Sequence, residues 1–264
     1  MTATRSDGTG ARRAGAAATE FDLTAHWRER ARGREGWDNA PALVRDLSTR
    51  FTATVAEAIE RAGGVPGRTE TEFVAATWYG TSHVAEVMHE QLREAGPKWL
   101  DPEQFLHYSP HAMVSAAALD LGLGGASATL VGPDAEFQAV AHAVRRIRSG
   151  RAATVVVAEY EALTPFAAAP CPDGPGTAAG APPEGRATAL VLTAGGGRGP
   201  FLTVHRSGEG EGEGEGDGAD APAGRAGTTV RTAGPGLLRL LADAAEPLVV
   251  VSRAAGLRDA LVLG

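Results

Sequence analysis

One stretch, residues 126–158, constrains the fold more than any other. Ala126–Val131 is a short apolar run, and Gly132-Pro133-Asp134 has the composition of a tight turn. Phe137, Val140, Ala141, Val144 and Ile147 then fall on one face of a helix that Gly150 ends, and ATVVVA follows from Ala153 to Ala158. A strand entirely apolar is buried on both faces. A strand–turn–helix–strand unit of this kind belongs to a layered α/β domain.

The flanking sequence continues the alternation. Leu43, Leu47, Phe51, Val55 and Ile59 recur four residues apart, widened by Val44, Ala58 and Ala62, and predict an amphipathic helix from Pro41 to Gly63-Gly64. Phe73–Tyr79 predicts a strand, Val84–Arg93 a second helix, and GPKWLDPEQF a loop. Ser109 and Pro110 are suited to cap and open a third helix ending at Gly122. Its alanine-rich, apolar surface predicts burial nearly all round. Ala187–Thr193 and Phe201–His205 read as strands after a Pro/Gly/Ala loop at 166–186. The last segment reads as a helix (Leu237–Ala245) and strands at Leu248–Ser252 and Ala260–Leu263.

Four regions follow. Residues 1–40, rich in Gly, Ala, Arg and Thr without a clear period, are expected to be mostly a disordered arm, with a short helix around Trp27. Residues 41–206 hold the main domain. Residues 207–227 are a Gly/Glu linker carrying Glu209, Glu211, Glu213, Glu215, Asp217 and Asp220, which account for six of the net −7 charges. Residues 228–264 are expected to complete the fold.

Without that tract the body is near neutral, with no basic field for nucleic acid. The single cysteine, Cys171, lies in a loop with no histidine beside it and excludes an internal disulfide or a multi-cysteine metal site. No apolar run is long enough to span a bilayer. The first eighteen residues lack a hydrophobic stretch of the secretory type. A cytoplasmic protein with no membrane contact is expected. GGGRGP (Gly195–Pro200) fits neither phosphate-binding pattern and reads as a hairpin connection.

In many α/β enzymes an elbow like the one at 131–134 presents a nucleophile at a helix N-terminus. Here it offers Val131, Gly132, Pro133 and Asp134, with neither thiol nor hydroxyl. The segment GLGGASATLVGPDAEFQAVAHAVRRIRSGRAATVVVAEYEAL (Gly122–Leu163) resembles the heart of the β-ketoacyl synthases of the thiolase superfamily. In them a Gly-rich bend, a strand, the active-site cysteine, a helix ending in Gly and an apolar strand follow at nearly this spacing. Counted from Gly125 the family's cysteine falls at Asp134; counted back from Gly150 it falls at Pro133. FLHYSPHAMVSAAALDLGLGG (Phe105–Gly125) and PALVRDLSTRFTATVAEAIERAG (Pro41–Gly63) are similar to two further segments of that family. The histidine motifs of its second half have no counterpart, since no histidine follows His205.

The resemblance implies a thiolase-like α-β-α layered fold, truncated relative to a full ketosynthase. It is most similar to the short, cysteine-less chain length factors of type II polyketide synthases, as in aryl-polyene and highly reducing pathways. Such a subunit would have no catalytic residue and no cofactor. Its partners would be a catalytic ketosynthase and, transiently, an acyl carrier protein. Two other readings stay open: an independent enzyme acting on acyl thioesters with His107, His111 or Asp134 as general base, and a structural scaffold. Candidate tunnel or interface residues are His107, Tyr108, His111, Met113 and Phe137. Each also has an ordinary structural reading, and Asp134 has one as a helix N-cap. His107 and His111 lie across a helix boundary without a matching carboxylate or thiol, so metal ligation is not expected. His83 and His89 are expected at the surface, and His142 at the edge of the apolar stripe.

Overall fold

The computed structural model describes residues 11–22, 39–100, 102–164, 184–194, 201–206, 229–232, 237–244, 248–251 and 259–263. Strands β1 (Ala11–Asp22), β2 (Glu72–Thr77), β3 (Ser127–Val131), β4 (Thr154–Leu163) and β5 (Glu184–Ala194) form the core sheet. Helices α1 (Asn39–Arg61), α2 (Ser82–Ala95), α3 (Pro110–Leu121) and α4 (Ala135–Arg148) cover it. Strands β6 (Phe201–Arg206), β7 (Thr229–Thr232), β8 (Leu248–Val251) and β9 (Asp259–Leu263), with helix α5 (Leu237–Asp243), follow. The strand order is β3-β2-β4-β5-β1-β6-β9-β8-β7, so β3 stands at one edge. β2 is parallel to both β3 and β4, whereas β5 is antiparallel to β4 and to β1.

Two cores lie on opposite faces of the sheet, because alternate residues of a strand point to opposite sides. Val155, Val157, Leu190 and Leu192 pack with Phe137, Val140, Val144 and Ile147 of α4 and Leu238 and Leu241 of α5. Val156, Ala158, Ala189 and Val191 pack with Leu47, Phe51 and Val55 of α1 and Met113, Val114 and Ala117 of α3. Burial of a side chain such as Phe51 or Leu47 stabilises by about 1.5–3 kcal/mol. Phe51 also stacks on Phe73 (centroids 6.0 Å apart) and meets Tyr160 edge-on at 5.4 Å. No helix among the described residues is long and apolar enough to cross a membrane.

Several expectations need correction. Residues 11–22 are not part of an arm; they form β1, inside the sheet between β5 and β6. Its pattern escapes a hydrophobicity reading because Ala and Gly carry it, and small side chains let α1 approach. A Cβ on Gly15 would lie against the Ala58 carbonyl oxygen and 2.6 Å from the Ala62 nitrogen. The rest of the expected arm, including the helix around Trp27, lies outside the described residues, as does the Gly/Glu tract. Glu184–Arg186, expected in a loop, extend β5. Residues 229–232 add a strand the sequence did not reveal. α3 is not buried all round: Met113, Val114, Ala117 and Ala118 face the core, while Leu119 is 82% exposed.

Candidate functional site

The elbow forms where the sequence places it, at the end of β3. Gly132 adopts φ 120°, which disfavours any residue with a side chain. Its N–H donates to the Thr77 carbonyl at 3.0 Å and ties the turn to the end of β2. The Gly132 carbonyl accepts from Ala135 N–H at 3.1 Å, and the Asp134 carbonyl accepts from Gln138 N–H at 2.9 Å, which starts α4. Asp134 occupies the N-cap position, but its side chain makes no capping hydrogen bond. The turn carries Pro133 and Asp134, with neither thiol nor hydroxyl.

α3 packs against the edge strand beside this turn. The Ser109 side chain caps it by accepting from His111 N–H at 3.3 Å. The His111 ring joins two hydroxyls of β3: Nδ1 lies 2.8 Å from Thr129 Oγ1, and Nε2 3.3 Å from Ser127 Oγ. Tyr160 donates its hydroxyl to the Pro110 carbonyl at 2.7 Å, fixing the start of α3 from beneath, and burial pushes that phenol's pKa up. A short 3-10 turn, Pro102–His107, precedes α3 and leaves Phe105, Leu106 and Tyr108 exposed. The Tyr108 carbonyl accepts from Thr81 Oγ1 at 2.7 Å.

The predicted site residues therefore separate into groups. His107, Tyr108 and His111 gather on one side of the elbow, before and at the start of α3. Met113 is buried in the α1/α3 core, and Phe137 in the core on the other face of the sheet. Phe137 does not join the others. His83, expected at the surface, is only 2% exposed on α2, and neither ring nitrogen has a hydrogen-bond partner. Burial, with the nearby charge of His107, lowers its pKa to about 4. His142 is exposed on α4, and partial burial beside Arg146 lowers its pKa.

Sequence reasoning missed a group of buried ionisable side chains near the elbow. Glu136 of α4, Glu159 and Glu161 of β4 and Arg186 of β5 lie close together. Glu161 accepts from the Trp78 and Tyr79 N–H groups, the second at 3.3 Å, and so holds the turn after β2. Burial raises the Glu161 pKa to about 8 against the effect of these bonds. The signal was present: two glutamates two apart in an otherwise apolar strand point to one buried face. No group of three or more His, Cys, Asp and Glu among the described residues is arranged to hold a metal ion.

No family model matches this chain, and no curated protein does. Solved structures do. A ketosynthase in complex with its chain length factor from Xenorhabdus doucetiae is similar over 97% of this chain and 99% of that one, with 14% identity and a TM-score of 0.56. A type II polyketide synthase acyl-carrier protein in complex with its ketosynthase bound to the hexaketide matches over 97% and 99%, with 12% identity and a TM-score of 0.59. The ishigamide ketosynthase/chain length factor matches over 81% and 80%, with 18% identity and a TM-score of 0.51. The first two matches extend well beyond residues 41–206. The chain has the layered α/β fold of the thiolase-type ketosynthases and chain length factors.

Proposed function

We propose that this chain is a non-catalytic, chain length factor-like subunit of a type II polyketide synthase that pairs with a catalytic ketosynthase and shapes its acyl tunnel. The observation that carries the reading is the elbow. Its strand, positive-φ glycine and helix are all in place, but Pro133 and Asp134 stand where a nucleophile is needed. A retained presenting scaffold without a reacting atom has a use beside another active site.

The edge supports the reading. β3 pairs with β2 on one side and has no strand partner on the other among the described residues, leaving backbone donors and acceptors for another chain. Leu119, Val131, Phe105, Leu106 and Tyr108 are exposed on α3, the elbow and the turn before α3. Exposed apolar side chains on elements next to an open strand edge suit a partner protein. The partner would be a ketosynthase with an intact cysteine, and an acyl carrier protein would visit transiently. Length control would be steric: side chains of this subunit close the tunnel floor, and condensation stops when the growing polyene meets them.

An independent enzyme on acyl thioesters would need a free base. Of the candidate bases, His111 has both ring nitrogens engaged by β3 hydroxyls. The test compares the purified chain, a cysteine-bearing type II ketosynthase from the same organism, and the two together on acyl-carrier-bound substrates. Products of defined length are expected only from the pair, and a changed length when the subunit is exchanged between pathways. Turnover by the chain alone would overturn the reading.

A further inference from the structure

The turn after β2 is held more firmly than a surface connection requires. Glu161, at the end of β4 and only 1% exposed, spends both carboxylate oxygens on it. One accepts from Trp78 N–H and the other from Tyr79 N–H at 3.3 Å. Thr77 Oγ1 accepts from the next amide but one, Gly80 N–H, at 3.0 Å. Three N–H groups in a row, those of Trp78, Tyr79 and Gly80, thus end on side chains. A buried carboxylate is costly unless it is hydrogen-bonded, and Glu161 is bonded to this turn.

The same turn reaches two neighbours. Thr81 Oγ1 donates to the Tyr108 carbonyl at 2.7 Å, between the 3-10 turn and α3. The Thr77 carbonyl accepts from Gly132 N–H at the elbow. Gly80, at φ 60°, sits between these contacts: a Cβ there would lie 3.5 Å from both Pro110 Cγ and Val131 Cγ1. Thr81 stands at the N-cap position of α2, where a threonine oxygen ordinarily accepts from an N–H of its own helix. It makes no such bond, and its hydroxyl is aimed at Tyr108 instead. A local rule set aside in this way is expected where a neighbouring site has to be held in place.

We propose that residues 78–81 are the positioning element of the partner-facing side of the subunit, with Glu161 as the residue that sets them. Thr81 carries that setting to the segment bearing the exposed Phe105, Leu106 and Tyr108, and Thr77 carries it to the elbow. Glu161 acts through the turn, because it is buried and reaches no surface. The proposal rests on the reading of this chain as the partner of a ketosynthase.

The test uses Thr81→Val and Thr81→Ser in the full chain. Neither removes a helix cap, and only serine keeps the hydroxyl. Affinity for a cysteine-bearing type II ketosynthase from the same organism is measured beside amide hydrogen exchange of residues 105–112 in the chain alone. Thr81→Val is expected to speed that exchange and to weaken the pair, each roughly threefold or more. Thr81→Ser should match the wild type in both. Glu161→Gln keeps one acceptor but turns a donor toward the second N–H, so it should loosen residues 78–81 and 105–112 together. Should that variant not fold, the two Thr81 variants decide. Unchanged exchange in Thr81→Val, or equal effects of valine and serine, overturns the proposal. Binding that ignores the valine substitution overturns it alone, whereas no binding by the wild type overturns the subunit reading as well.

Discussion

His111 Nδ1 lies 2.8 Å from Thr129 Oγ1, a side-chain bond that fastens helix α3 to the open edge strand of the sheet. Ser127, two residues back on the same strand face, meets the other ring nitrogen at 3.3 Å. One imidazole thus fixes the start of α3 over β3.

A double-mutant cycle measures that bond. His111→Ala and Thr129→Val should each lower stability by about 1 kcal/mol, with a coupling of about 0.5 kcal/mol or more in thermal or denaturant unfolding. Strict additivity would show that the contact does not hold the helix.

Placing a thiol in the elbow should not by itself create an active site. Asp134→Cys or Pro133→Cys should leave the purified chain without condensation or acyl loading on acyl thioesters. The β-ketoacyl synthases that the sequence resembles use two histidines of their second half, and no histidine follows His205 here. Mass spectrometry for a stable acyl adduct checks this. Turnover restored by either change would show a complete hidden active site.

Acid should weaken the seat of α2. His83 is buried and neutral, its pKa lowered to about 4 by burial first and by His107 second. A base with a depressed folded pKa contributes stability above its unfolded value of about 6.5, and that stability is lost as pH falls toward the folded value. The melting temperature of the wild type should therefore drop between neutral pH and pH about 4–5 by more than that of His83→Leu, the difference corresponding to roughly 1–3 kcal/mol. Parallel curves would mean that His83 is not held neutral. The alkaline side runs oppositely. Glu161, raised to about 8, contributes stability below its ordinary value that is lost as pH rises through about 8.

β1 depends on a missing side chain. Gly15→Ala would drive a methyl into the backbone of α1 at Ala58 and Ala62. A loss of about 1–3 kcal/mol is expected by denaturant unfolding. A neutral result would contradict the close approach of β1 and α1.

The sequence disclosed the elements whose burial is written in large side chains. The four-residue repeat from Leu43 to Ile59 gave α1, and ATVVVA gave β4, because such patterns have one packing solution. The Ser109-Pro110 pair and Gly122 marked α3 through cap chemistry. β1 was hidden because alanine and glycine carry little periodic signal, although Gly15 is what admits the helix. His83 was misplaced because a histidine's position on its helix face does not reveal what covers that face. Glu159 and Glu161 were in plain view, but their pairing with Glu136 and Arg186 depends on register between strands, as in Glu161 opposite Arg186, which no local pattern sets. Of the proposed site, the elbow was legible from local chemistry; the exposed apolar side chains were not, since exposure is a property of the assembled sheet.

The central claim is that this edge receives a catalytic partner. Co-expression with a cysteine-bearing type II ketosynthase from the same organism, followed by size-exclusion chromatography, tests it most directly, with Leu119→Asp as the probe of the exposed face. Leu119 is 82% exposed, so the substitution should change the stability of the isolated chain by no more than about 0.5 kcal/mol. The account predicts that the wild-type chain co-elutes with the ketosynthase and that Leu119→Asp weakens the pair at least roughly tenfold, about 1.4 kcal/mol. Separate elution of the wild-type chain and the ketosynthase would contradict it.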